Sequence, residues 1–384
     1  MQHPLLSLAA LCAGLLVVCS NGALPAHAQS DTREESRALN LTIGEVGLSI
    51  GDSKRTTGLR LNYRDRALER VNGLNLTLWR PHDGAGGTVN GLAVGLPLTG
   101  GYRLRGIAVG AGLSVQRAID GVALAPLGVG SGNRLRGIAV GGLGLGAGSR
   151  AQGLLIGGLG AGAGEHATGV LIGGLGAGAG RESTGLLLGG LGAGAGEQAT
   201  GIVLGGLGAG AGGRVRGMVG GGAGAGAGER ASGLIVGGLG AGAGDRATGL
   251  LIGGLGAGTG DTLTGMGLSV LGVGAGNRLN GVGIGGVGVA AGNALTGLAV
   301  AGAGIASRRI TGLSITGGYA RIEEGALRGA SIAAYNDIRA PQRGLAIGLY
   351  NYTRELHGLQ LGLLNVARNN PVWARVLPGL NLHL

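Results

Sequence analysis

The sequence predicts an all-β repeat protein, a two-sided β-solenoid with about 16 residues per coil. Three observations lead there. Counting from Gly137, a glycine opens the same phrase every sixteen residues as far as Gly297. The residues one and three steps after each of these anchors are apolar in almost every unit, and a spacing of two belongs to a strand. A shorter run of alternating Gly and Ala then follows a Gly-Gly corner, as in Leu159-Gly160-Ala161-Gly162-Ala163. A unit this short cannot fold alone, so it must stack on its neighbours.

The elements follow in chain order. Residues 1–28 carry no Lys, Arg, Asp or Glu, run apolar from Leu5 to Cys19 and end in Ala26-His27-Ala28, which reads as a signal peptide cleaved before Gln29. Both cysteines, Cys12 and Cys19, lie inside it, so the exported chain is expected to hold no disulfide and no Cys-ligated metal. Residues 29–57 are expected to form an N-terminal cap or a loose segment. Residues 58–136 hold irregular basic repeats anchored at Gly58, Gly73, Gly91, Gly106 and Gly121. Residues 137–311 are the regular block, and residues 312–384 hold the last repeats, anchored at Gly312, Gly329, Gly344 and Gly358, with a terminal cap.

Glycine supplies 95 of the 384 residues, a bias that would signal disorder if it lacked a period. Stacking opposes glycine's entropic cost of roughly 0.5–1 kcal/mol per residue, because every added rung pairs backbone groups above and below. Charge is uneven. Residues 29–150 hold fifteen basic and nine acidic groups, net +6; residues 151–260 hold five of each; residues 261–384 hold ten and five, net +5. The molecule has basic ends and a neutral, apolar centre.

The columns one and three steps after the anchor, for example Leu154 and Ile156, are expected to face the core. Between them stands a column that is polar toward the ends, with Arg60, Asn75, Ser314, Ser331 and Gln360, as expected of a position that meets solvent. In the central units it becomes Leu155, Leu171, Leu187, Val203, Val219, Ile235 and Leu251. Seven rungs spaced ~4.8 Å apart would present these as an outward apolar stripe roughly 30 Å long, the candidate interface.

Catalytic and ligand-binding signatures are sparse. GxGxxG phrases arise from composition alone, with no Gly-Lys-Ser/Thr and no βαβ context, so no nucleotide site is expected. Gly157-Gly158-Leu159-Gly160-Ala161-Gly162 imitates a calcium-roll repeat but has Gly162 where the liganding Asp belongs. His82, His166, His357 and His383 fall in different units, and carboxylates are scattered one per turn except for Glu323-Glu324, neighbours that on a strand would point to opposite faces. No catalytic residue, metal site, cofactor or small-molecule substrate is expected, and the chain is read as not an enzyme. Two Trp, six Tyr and no Phe leave no interleaved aromatics for nucleic acid. The Thr file of Thr168, Thr184, Thr200, Thr248, Thr264 and Thr296 keeps an ice-binding solenoid as a remote alternative.

The last units, Gly344-Leu345-Ala346-Ile347-Gly348-Leu349-Tyr350-Asn351 and Gly358-Leu359-Gln360-Leu361-Gly362-Leu363-Leu364-Asn365, resemble the GLQxGLxN repeats of poorly characterised bacterial surface-repeat proteins. The tail from Asn370-Pro371 through Leu377-Pro378-Gly379-Leu380-Asn381-Leu382-His383-Leu384 is similar to their usual ending. The resemblance covers residues 312–384, with an echo over 58–110, while the centre replaces the Asn by Gly. It implies a surface or envelope location, no established enzymatic activity and no catalytic residues.

Together these features predict a non-enzymatic exported scaffold of the structural or adhesion type, at the cell surface or outer membrane, or else periplasmic or secreted. Its apolar stripe and glycine-rich face would meet a partner, another copy or the outer membrane. Arg64, Arg66, Arg70, Arg103, Arg105, Arg134, Arg136, Arg308 and Arg309 are the candidate contacts to anionic lipid or polysaccharide. The alternative is an outer-membrane β-barrel of about 20 strands, one per anchor, acting as pore or anchor.

Overall fold

The computed structural model describes residues 38–66, 68–79 and 86–383. The expected leader at 1–28, with Cys12 and Cys19, lies outside these residues, as does His82. The chain is a β-solenoid of about 18 turns with about 16 residues per coil. It divides into two compact units, one through Ala193 and one from Gly194, built on the same plan.

In the first unit, Arg150–Gly157 pairs in parallel with His166–Gly173 and that in turn with Glu182–Gly189, so that Leu155, Leu171 and Leu187 stand directly above one another. The short strands Gly144–Ala147, Gly160–Ala163 and Gly176–Ala179 stack in the same register. Even the corners bond from rung to rung, with the Leu175 amide donating to the Leu159 carbonyl at 2.7 Å and the Glu165 amide to the Ser149 carbonyl at 2.9 Å. Parallel, in-register stacking is incompatible with an up-and-down barrel, in which consecutive strands run antiparallel. The barrel alternative is therefore set aside.

The anchor glycine explains the strictness of the period. Its φ is +109° at Gly169 and +120° at Gly185, values that L side chains rarely adopt. A Cβ at Gly169 would also overlap the carbonyl oxygen of Gly153 one rung away. The backbone bends at this residue. Ala151 and Leu155 both point inward, whereas Gln152, Gly153 and Leu154 all face out.

The expected orientation of the stripe is wrong. Leu155, Leu171, Leu187, Val203, Val219, Ile235 and Leu251 are core residues, none more than 3% exposed. The columns assigned to the core, represented by Leu154 and Ile156, face outward instead. When both columns of a strand are apolar, periodicity alone cannot say which faces in, and a one-residue slip exchanges the two faces completely.

The polar ends of the stripe column are buried as well, and each residue finds partners. In the first unit Arg60 is fully buried, donates to Asp52 at 3.0 Å and to Asn75 at 2.9 Å, and pairs with the buried carboxylate of Asp65. In the second unit Ser331 bonds Asn336 at 2.7 Å, and Gln360 donates to Gln342 at 3.0 Å. Interior hydrogen-bond partners accommodate these polar side chains in place of solvent, although the Gln360 Oε1 has none.

The Asn of the GLxxGLxN phrase has its own place in the second unit. Asn336 donates to Asn351, and Asn351 to Asn365, each at 2.7 Å, forming a buried ladder at one corner. The described residues begin and end with an antiparallel pair. Ala38–Ile43 pairs with Val46–Gly51, and Val376–His383 with the stretch from Gly358 to Val366.

Candidate functional site

The outer surface of a coil carries three chemistries, set by position relative to the anchor. After the anchor come the apolar columns. In the first unit Ile107, Ile138 and Leu154 follow their anchors directly, Leu143, Leu159, Leu175 and Leu191 stand at the Gly-Gly corner and Leu127 at the equivalent Ala125-Pro126 corner, all exposed. In the second unit Ile202, Met218 and Met266 follow their anchors, while Leu207, Leu239, Leu255 and Leu271 occupy the corner. An apolar outer face therefore exists in each unit. It is broader than the stripe inferred from sequence, and it uses different residues.

The short strands turn bare glycine outward, as at Gly160 and Gly162, with Ala161 and Ala163 inside. In the second unit this glycine face meets an aromatic stack. Tyr319 takes the column of Gly304, and Tyr319, Tyr335 and Tyr350 stack with centroids 5.2 and 4.7 Å apart. Partial burial and the hydrogen bond to Asp337, 2.7 Å away, push the Tyr319 hydroxyl up to about 12.

Before the anchor comes the charged edge. Arg105 and Arg136 are exposed one residue ahead of Gly106 and Gly137, while Arg103 and Arg134 are half-buried two residues earlier. Arg70 and Arg66 are exposed and Arg64 half-buried in the same unit. Arg308 and Arg309 are exposed in the second unit, where Arg308 faces Glu324 at 3.8 Å. Seven of the nine arginines belong to the first unit, and Arg308 and Arg309 to the second.

Charges in the regular coils pair between rungs rather than between sequence neighbours. Arg246 meets Asp261 at 3.3 Å, and Arg214 meets Glu229 at 3.9 Å, both largely exposed. The Ser149 hydroxyl, donating at 2.6 Å, holds Glu165 below the usual carboxylate range. Asn277 does the same for Asp261. His166 sits between Glu165 and Glu182, at 3.7 and 3.6 Å. His357 and His383, assigned to different units of the sequence, meet edge to face at 5.9 Å because the last strand folds back antiparallel. Among the described residues no cluster of three or more His, Cys, Asp or Glu is arranged to hold a metal ion. Of the Thr file, Thr168 and Thr184 stand in register and exposed in the first unit, as Thr248 and Thr264 do in the second. Among the described residues no helix is long and apolar enough to cross a membrane.

Comparison with protein-family models, curated proteins and solved structures returns no match.

The orientation of the stripe did have a sequence signal. Residues two before the anchor, two after it and eight after it trade volume. A coil with Leu155 has Ala151 and Ala161, and one with Ala139 has Leu135 and Leu145. Only side chains sharing one interior need to compensate in this way.

Proposed function

We propose that the protein is a non-enzymatic, exported surface or envelope scaffold whose coils present an apolar outer face for association. The observation that carries this reading is the repeated exposure of Leu at the corners, as at Leu143 and Leu159 in the first unit and Leu239 and Leu255 in the second, with exposed Ile, Leu or Met after several anchors. Contiguous apolar surface of more than a few hundred Å² on a soluble fold marks an interaction site. The solenoid's hydrogen bonds leave the outer side chains free of structural duty, so an apolar column there contributes to association rather than to the core.

Export is supported by the apolar run from Leu5 to Cys19 and the Ala26-His27-Ala28 terminus. The surface assignment is supported by the GLxxGLxN-type phrases ending in Asn351 and Asn365. The buried carboxylates Asp65 and Asp337 are engaged by Arg60 and by Tyr319 and Arg339, which suits structural roles.

Fractionation of expressing cells with sequencing of the mature N-terminus tests the reading. A chain beginning at Gln29 and recovered with the envelope or the medium is expected. A chain retaining Met1 in the cytosolic fraction would overturn it.

A further inference from the structure

We infer that the basic edge and the apolar face of the first unit together form a docking surface for an anionic lipid bilayer. The inference rests on the scaffold reading above and names its partner. Over residues 86–150 the chain holds six Arg and one Asp, net +5. Five of the six arginines fall in two columns, one and three residues before the anchor: Arg103 and Arg105, Arg134 and Arg136, and Arg150. The single acidic group, Asp120, is taken up by Arg134 at 3.0 Å. Among the described residues no carboxylate lies within ion-pair range of Arg103, Arg105 or Arg136.

The anchor places this edge against the apolar face. Arg105-Gly106-Ile107 and Arg136-Gly137-Ile138 each straddle a bend with φ near +120°, so a guanidinium and an apolar side chain emerge on the two flanks of one ridge. Behind the ridge Leu127, Leu143 and Leu159 are each more than half exposed at the next corner. Long arginine side chains can reach headgroup phosphates while the aliphatic columns enter the acyl boundary, the arrangement that holds an amphipathic surface in the membrane interface.

Charge decides between the candidate occupants. Two first units meeting through their apolar faces would bring two unpaired arginine edges together, a repulsion that an anionic bilayer turns into attraction. A soluble polyanion would satisfy the arginines and leave the leucines in water. In the second unit Arg214 and Arg246, three residues before their anchors, face Glu229 and Asp261, whereas Arg103 and Arg105 of the first unit face no carboxylate among the described residues.

The test is co-sedimentation of the full exported chain with vesicles of phosphatidylcholine alone and of equimolar phosphatidylcholine and phosphatidylglycerol. Strong binding to the anionic vesicles, little to the neutral ones, and release by salt are expected. Arg105→Gln with Arg136→Gln should weaken binding about thirtyfold. Leu127→Ser with Leu143→Ser should weaken it about tenfold with unchanged circular dichroism, because both side chains leave the core intact. Equal binding to both vesicles overturns the inference. No vesicle binding, with a concentration-dependent dimer that Leu127→Ser and Leu143→Ser dissociate, overturns lipid docking and leaves the scaffold reading standing. No vesicle binding and no self-association overturns both.

Discussion

A methyl group added to Gly283 would press against the side chain of Leu279, with the two carbons 3.0 Å apart. Gly283 occupies the column of Leu251, and the space its missing side chain leaves is filled by Leu279 and Val289, both buried. Where that column holds Leu251, the corresponding residues are Ala247 and Ala257. The interior thus keeps its volume while its residues change, as close packing requires.

This exchange predicts non-additive mutants. Gly283→Leu alone should overpack the coil and cost about 1–3 kcal/mol. Adding Leu279→Ala and Val289→Ala reproduces the Leu251 arrangement and should recover most of that loss. Chemical denaturation of the single and triple variants measures the difference, and equal destabilisation would refute the shared interior.

Orientation of the stripe is tested by charge. Leu187→Asp places an unpaired carboxylate in the core and should cost about 4 kcal/mol or more, enough to unfold neighbouring coils. Leu191→Asp, at an exposed corner of the same coil, should leave the melting temperature almost unchanged. The opposite ranking would restore the outward assignment.

The anchor glycines should be far less tolerant than the glycines of the flat face. Gly169→Ala forces a side chain into a φ of +109° and against the carbonyl of Gly153, and should destabilise by more than about 1 kcal/mol. Gly162→Ala would make only an ordinary contact 3.7 Å from the Gly178 carbonyl oxygen and should be nearly neutral. Paired thermal melts of the two variants decide the point.

Tyrosine titration reports on the aromatic stack. The Tyr319 pKa is raised to about 12 by burial and by Asp337, so the neutral hydroxyl is favoured in the folded state. Its stabilising contribution is complete below the ordinary tyrosine value near 10 and is lost as pH rises through about 12. Asp337→Asn should bring one tyrosinate transition toward 10, observable by ultraviolet absorbance; an unchanged titration would remove Asp337 as a cause.

Breaking the buried pair at the N-terminal end should be costly. Arg60→Ala leaves Asp65 buried without its cation, and a loss of about 3–5 kcal/mol is expected. Replacing both residues with apolar side chains of similar volume should cost much less. Denaturation of the single and double variants separates the two outcomes.

The sequence by itself determined the period, the strands and the corners. A glycine every sixteen residues can only be a position where no side chain fits, and Gly153 meets that condition through both its φ and its clash with Gly137. The spacing of two between the columns of Leu154 and Ile156 likewise announced a strand. What the local pattern left open was the direction of each column, because three consecutive apolar residues satisfy either orientation. Tertiary structure decided it by closing the coil. Once Ala161 and Ala163 face Ala151 and Leu155 across the interior, Leu154 and Ile156 have nowhere to go but outward. The same closure buried Arg60, Asn75 and Gln360 among partners up to eighteen residues away, and brought His383 back against His357. Burial depends on contacts between rungs, and those exist only when the stack is assembled.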